Sequence, residues 1–532
     1  MPSHERKRRL WRIVIGLAIA LLAVVGAAAG FLVTRDEGDV SNPDVEFSDE
    51  PAATPEEAEQ EPAGKRASRF DRFIWAHYGY TPDRRRYLPL KNPPRPPFKE
   101  IWQFDGDVLL EFPPVIGGKR LYLLNDSGKL IAINKLTGKR LWKRKLGALA
   151  AASPAYADGV VYVVLLQRAK QGRGARTGRV VSLDGKTGRI RWSRDLASRS
   201  ESSPLIIDDT LYFGSENGSV YAMAARDGGV RWRFRAAGPV KGGLALSDGR
   251  LYFGDYGGRV YAIRRESGRE VWRSSTRGGR FGLSAGNFYS TPAVAYGRVY
   301  IGNTDGRIYS FSAASGKLAW SRSTGGYVYA SPAVAEVPDG RPLVYAGSYS
   351  GRFFALDARS GAVRWSRGGN GRISGGASVI GDIVYYADLG NKRTIGLGAR
   401  TGRKMFEHER GSYNPVVSDG ETIFLTGYHA MYALQPLSTA DKKARAKAKR
   451  ERNARKRNDR RTCRARAREA HRGRPAAQQR SYKRCVKRRP ALRRRAARAE
   501  CLAQARKAHK GNNGKISRSY RRCVDRRHAH RR

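Results

Sequence analysis

Four cysteines are the most chemically committed residues of this chain, and they stand in a repeat. Cys463 and Cys485 are 22 residues apart, Cys501 and Cys523 are 22 apart again, and the second pair follows the first by 38 positions. Their neighbours match in the same register: Ala467 with Ala505, Ala470-His471 with Ala508-His509, Arg480-Ser481-Tyr482 with Arg518-Ser519-Tyr520. Four cysteines allow three connectivities, and the duplication selects two equivalent bridges, Cys463–Cys485 and Cys501–Cys523. Glycine-containing turns fall at each midpoint, and the Ala-, Arg- and Lys-rich flanks favour helix. The expectation is two short helical hairpins, each pinned by one disulfide worth about 3 kcal/mol to a segment with few apolar residues. Zinc held by the thiolates, alone or with His471 and His509, is the rival chemistry. Structural zinc ligands usually come in pairs roughly two to four residues apart, and these do not.

Two further stretches carry chemistry-bearing side chains. Leu166 to Gly178 contains Arg168, Lys170, Arg173 and Arg176 with no acid, and Arg277 to Tyr289 mixes glycine with Arg277, Arg280, Phe281, Phe288 and Tyr289. Cations interleaved with aromatic rings could grip a sugar polymer or a single strand, and binding residues concentrate on loops. The competing reading is a solvated insertion, which a surface loop tolerates cheaply. Between residues 101 and 440 there are 26 Asp/Glu, but many, such as Asp227, Asp305 and Asp419, sit where a carboxylate shapes a turn. His408 and His429 are the histidines of that stretch. No nucleophile, acid–base pair or metal-ligand spacing emerges, so no catalytic or metal residue is assigned.

The elements that must position these loops form a repeat of their own. An aromatic residue recurs at Trp102, Trp142, Trp192, Trp232, Trp272, Trp320, Trp365 and Phe406, at spacings of 40, 50, 40, 40, 48, 45 and 41 residues. Between them run short alternating strands such as Arg259-Val260-Tyr261-Ala262-Ile263, punctuated by Asn217-Gly218, Asp227-Gly228 and Ser360-Gly361, whose residues supply the positive φ of tight turns. Each unit opens on a small or proline-containing pair, from Pro113-Pro114 and Ser153-Pro154 to Gly375-Gly376 and Asn414-Pro415. This is the period of a four-stranded propeller blade. Trp102 has no opener before it and Asn414-Pro415 has no aromatic after Leu434, so residues near 99–112 are expected to complete the last blade. An all-β, eight-bladed propeller follows, with seven blades and an extra hairpin as the alternative. Residues 70–102 carry too many prolines for a helix and read as an extended strap across the ring.

These residues resemble the pyrroloquinoline-quinone (PQQ) repeat propellers: Ala132-Ile133-Asn134 with Gly138 and Trp142, and Ala355-Leu356-Asp357 with Gly361 and Trp365, are similar to that family's repeat. The lead-in Trp75, Tyr78-Gly79, Arg86-Tyr87, Pro89-Leu90 and Trp102 looks like the start of quinoprotein alcohol dehydrogenases. The resemblance covers residues 75–436 and implies the fold. The family includes quinone-dependent dehydrogenases and non-enzymatic scaffolds, such as the lipoprotein subunit of the outer-membrane β-barrel assembly machinery. The dehydrogenases hold their quinone beneath a disulfide of adjacent cysteines, with calcium and a catalytic Asp. No cysteine precedes residue 463, so the resemblance implies the scaffold type. PQQ and calcium are not expected, and a quinone-dependent dehydrogenase with an atypical site is the alternative.

The net charge is +55, and residues 441–532 hold 38 Lys/Arg against 6 Asp/Glu. Charge of this size speaks to partners, not to fold. Residues 1–12 read as a basic cytoplasmic flank and the uncharged run 13–34 as a transmembrane anchor, long enough to cross a hydrocarbon core of about 30 Å; a cleaved signal peptide is the alternative. Residues 35–69, acidic and proline-rich, read as a disordered stalk. The ring and strap occupy 70–438, a basic linker 439–462, and the hairpins 463–532. The flank stays in the cytoplasm, which puts the ring and tail outside a cell membrane, facing envelope proteins or anionic polymers; nucleic acid is not expected there.

Overall fold

The computed structural model describes residues 38–49, 72–170, 177–276, 286–336, 340–369, 371–414 and 416–508, with scattered positions at 21, 172, 517, 519–521, 523 and 524. Two compact units divide the chain, residues 1–436 and 437–532.

Among the described residues the first unit is built from eight sheets, each holding an antiparallel four-stranded blade; in seven the blade strands follow sequential order from the axis outward, and three sheets gain a fifth strand. The fourth blade shows the construction. Its strands Ala245–Ser247, Arg250–Gly254, Arg259–Arg264 and Glu270–Ser275 pair in turn. Asp255 shapes the central hairpin: its buried carboxylate accepts the backbone N–H groups of Gly257 and Arg259, each at 2.9 Å. In every blade the outer pairing slips by one residue, as between Ala262 and Ile263. Such a bulge re-aims the strand that carries it, and here the aromatic residue beside it crosses to the next blade.

That crossing explains the repeat. The indole N–H of Trp320 donates to Ala358 O of the following blade at 2.9 Å, Trp272 to Ala313 O at 2.9 Å and Trp142 to Gly185 O at 3.1 Å, and the other closing tryptophans do likewise. Each indole lies on a glycine of that next blade. At Gly361 (φ +71°) an added Cβ would sit 2.6 Å from the Trp320 ring. The glycine of the Ser/Thr-Gly-x-x-x-Trp pattern thus serves two ends, the left-handed turn and a flat seat for the preceding blade's ring. Where Phe406 replaces tryptophan, its ring meets Phe98 edge-on at 5.2 Å.

Four strands precede the first blade: β1 (Val40–Ser41), β2 (Ile74–Trp75), β3 (Tyr87–Leu88) and β4 (Phe98–Asp105). β4 pairs antiparallel with the final strand Ala430–Pro436 and completes the eighth blade, which removes the seven-bladed alternative. Between β2 and β4 the chain crosses the inner strands as a strap. β2 pairs with the first blade and β3, in parallel, with the seventh. Between them the carbonyls of Ala76, Pro82, Asp83 and Arg85 accept the N–H of Tyr156, Leu246, Val294 and Val334, and the imidazole Nε2 of His77 meets Ile206 O at 3.0 Å. The free inner edges of successive blades are thereby paired.

Part of the expected acidic stalk behaves differently. Residues 38–49 lie along the fifth blade, where β1 adds a strand beside Leu318–Ser323. Phe47 stacks on Tyr296 at 5.7 Å, Arg298 donates to the carbonyls of Val45 and Glu46, and Asp39 pairs with Arg322 and accepts Ser323 N–H at 2.8 Å. Asp39 finds basic partners in Arg307 and Arg322 of the blade, and Val45 and Phe47 supply apolar contact. The expected membrane anchor, 13–34, lies outside the described residues except Leu21; no helix among the described residues is long and apolar enough to cross a membrane.

The second unit is helical. α1 (Thr439–Ala470) starts at a capping box in which Ser438 and Asp441 satisfy each other's backbone N–H, and α2 (Pro475–Ala508) returns after a turn. Cys463–Cys485 bridges the two helices and Cys501–Cys523 ties α2 to the residues beyond it, with Cα atoms 5.6 and 5.7 Å apart. The basic linker and two separate hairpins expected over 439–532 differ from this in two respects. α1 absorbs the linker, and α2 runs unbroken through Pro490 to serve both disulfides. Cys463, Ala467, Cys501 and Ala505 are the buried side chains here among the described residues.

Candidate functional site

One position, four residues before each inner strand, recurs around the ring axis. The inner strands begin at Val115, Ala155, Leu205, Ala245, Ala293, Ala333, Ser378 and Val417. Counting back places Glu111, Ala151, Glu201, Lys241, Tyr289, Tyr329, Ser374 and Tyr413 at equivalent points, and all but Ala151 line one concave pocket of about 40 Å³ that opens to solvent. Two residues further on, Ser203, Gly243, Thr291 and Ser331 form its lower wall. The openers are small because they pack tightly there: Gly243 N–H donates to Thr291 Oγ1 at 2.8 Å and Thr291 N–H to Ser331 Oγ at 3.0 Å.

The strap supplies the floor. Tyr78 lines the pocket, and beneath it the Arg86 guanidinium lies 4.5 Å from the centre of its ring. Arg84 is fully buried and donates to Leu244 O, Ser203 O and Pro204 O at 2.8–3.2 Å. Burial, reinforced by the charge of Arg86, pushes its pKa down to about 9. Burial likewise drives His77 down to about 3, so its imidazole is neutral.

The pocket has two unlike sides. On one, Lys241 bridges Glu201 at 2.8 Å and Glu216 at 3.0 Å, and Tyr289 Oη donates to Glu201 at 2.9 Å. Burial opposes the Lys241 charge, but these two carboxylates outweigh it and hold its pKa above the usual value. Glu111 has no hydrogen-bond or ion-pair partner among the described residues. Burial, then the charges of Asp126 and Glu201, raise its pKa to about 7. The other side is aromatic: Tyr289 meets Tyr329 at 5.7 Å, Tyr329 meets Tyr349 at 4.9 Å and Tyr327 at 6.2 Å, and Tyr327 is exposed at the surface.

Of the loop residues singled out in the sequence, Tyr289 alone reaches this pocket among those described. Phe288 is a correction: it is fully buried between the fourth and fifth blades, with Tyr252 and Ile301, where its N–H donates to Asp255 O at 3.1 Å, whereas Tyr289 lines the pocket. Arg168 is paired with Asp195, and Lys170 is exposed. Arg173, Arg176, Arg277, Arg280 and Phe281 lie outside the described residues. Glu111, Glu201, Lys241, Tyr329 and Tyr413 were not singled out in the sequence. Their signal is the constant offset from the opener pairs, visible only once all eight openers are aligned. The expected disulfides, Cys463–Cys485 and Cys501–Cys523, are both formed.

A polycarboxylate quinone does not suit this lining. It would meet Glu111 and Glu201, while Lys241 is already engaged by two carboxylates. Nor do the described residues contain a group of three or more His, Cys, Asp or Glu able to hold a metal ion.

Comparison with solved structures agrees on the fold. BamB from Moraxella catarrhalis superposes with a TM-score of 0.51 at 16% identity, over 64% of this chain and 99% of that one. The quinohemoprotein alcohol dehydrogenase ADHIIG from Pseudomonas putida HK5 gives 0.58 at 16% identity, over 70% and 82%. The computationally designed Ika8 protein gives 0.52 at 14% identity, over 64% and 100%. Identities this low establish shape alone. No curated protein matches the chain. The family model described as outer membrane protein assembly factor BamB matches residues 98–233 and 216–443. Because those matches span more than half of the chain and follow its blades, the protein belongs to this PQQ-repeat propeller family.

Proposed function

We propose that the protein is a membrane-anchored, extracytoplasmic scaffold whose propeller engages envelope proteins and whose cationic tail holds anionic envelope polymers or lipid headgroups. The observation that carries this reading is the division of labour between the two units. The ring binds through a fold whose family description and structural relatives include an assembly factor. From Lys442 to Arg461 helix α1 carries twelve cations, and nearly all of that stretch is exposed, so packing gives no reason for them. The two disulfides suit an oxidising compartment, and the uncharged run 13–34 behind a basic flank suits a single-pass anchor with the N-terminus in the cytoplasm.

The test is capture of partners from envelope extract by the full chain at two salt concentrations. Attraction to a polyanion weakens steeply with salt, so ligands of the tail leave at high salt while ring partners remain. Retention of every partner at high salt would remove the electrostatic half of the proposal. Dye reduction with alcohols or sugars after adding PQQ and calcium tests the dehydrogenase alternative, and the expected result is no turnover.

A further inference from the structure

We propose that the axial pocket of the propeller is a binding site for an alkylammonium group, carried by a free diamine or by a lysine side chain of a peptide. The argument rests on geometry. Seven of eight pseudo-equivalent positions point side chains into one cavity, and they divide into a carboxylate side and an aromatic side. A cation is stabilised by both at once, by ion pairing and by the negative faces of aromatic rings. The ring already uses this chemistry internally: Lys241 lies 5.2 Å from the centre of the Tyr256 ring, and Arg372 lies 5.7 Å from that of Tyr349. Tyr329 and Tyr413 hold no such cation among the described residues.

Glu111 is the pocket carboxylate that no cation of the ring engages among the described residues. Glu201 is satisfied by Lys241 and Tyr289, whereas Glu111 faces Asp126, Glu201, Tyr289 and Tyr413 with no counter-charge. Its neighbours are mostly acids and phenols, Lys241 being committed elsewhere, and an ammonium group would relieve that concentration of negative charge. A neutral sugar would stack on the tyrosines but leave the carboxylate uncompensated. The sign is also informative against the background of a chain with net charge +55. General attraction would bring anions, so a pocket lined by acids selects against that tendency.

The experiment is titration calorimetry of the full chain with cadaverine, with Nα-acetyl-lysine methylamide, and with glucose as the uncharged control. Cadaverine or the lysine derivative should bind and glucose should not, and whichever of the two binds more tightly identifies the source. Affinity should rise about five- to tenfold from pH 6 to pH 8, as Glu111 ionises while the amine stays charged. Glu111→Gln should weaken binding at least tenfold at pH 8 and abolish the pH dependence. Tyr329→Ala should weaken it about three- to tenfold without altering the pH profile, and it serves as an independent variant if Glu111→Gln folds poorly. Equal binding of glucose and amine, an affinity flat between pH 6 and 8, or no loss in either variant would each overturn the proposal.

Discussion

Replacing Gly361 by alanine tests the account of the blade seam. Gly361 and Gly159 both adopt left-handed φ, +71° and +79°, so alanine at either pays a similar backbone penalty of about 1 kcal/mol. Their surroundings differ. A Cβ at Gly159 meets nothing within 4 Å, whereas at Gly361 it falls 2.6 Å from Trp320, which is wholly buried and bonded to Ala358 O. Relief requires moving the indole, which strains that hydrogen bond and the packing on both sides of the seam. Overpacking of this kind costs about 1–3 kcal/mol, so the expected loss is about 2–4 kcal/mol for Gly361→Ala against about 1 for Gly159→Ala. The assay is urea unfolding followed by tryptophan emission. Eight of the nine tryptophans lie at 75–365 and none lies after residue 365, so the signal reports the ring and not the tail. Equal losses for the two variants would refute the idea that this glycine is a seat as well as a turn.

Three other outcomes follow from the described contacts. Glu111 has a folded pKa raised from 4.5 to about 7, so the native state carries a cost that grows as pH rises from about 4.5 through 7. Glu111→Gln should therefore gain roughly 1–3 kcal/mol on wild type at pH 8 and little at pH 4, measured by the same unfolding at each pH. Cys463→Ser should lower the helical circular dichroism of the tail and its thermal midpoint, at a cost of about 3 kcal/mol, while ring emission stays unchanged. Phe47→Ala with Arg298→Ala should release residues 38–49 from the fifth blade, seen as faster proteolysis within that segment at unaltered ring stability.

The ring was legible because its information is local and repeated. A tryptophan every forty-odd residues, a glycine four positions before it and small openers fix blade number, and the unmatched Trp102 and Asn414-Pro415 locate the closure that β4 makes. The disulfides were legible for the same reason. The pocket was not, because Glu111 and Tyr413 are some 300 residues apart in sequence and meet only through ring closure. Arg84 and Arg86 look like ordinary surface charge beside the prolines of the strap. Their burial depends on carbonyls from several blades. Composition also misled at 38–49, where Asp39 finds Arg307 and Arg322 on the fifth blade and Arg298 holds the carbonyls of Val45 and Glu46.

The closure of the eighth blade has a mechanical side. The final strand ends at Pro436, and helix α1 begins three residues later at Thr439, so any tension applied to the tail would reach the ring through that strand. It is held on both flanks, by Ile423–Thr426 and by β4, whose register runs from Ala430 opposite Asp105 to Pro436 opposite Phe98. A pull along the strand loads those ladders in shear, with their bonds bearing force together instead of parting one by one. The seam that shuts the ring is thus also the joint through which it would be tugged.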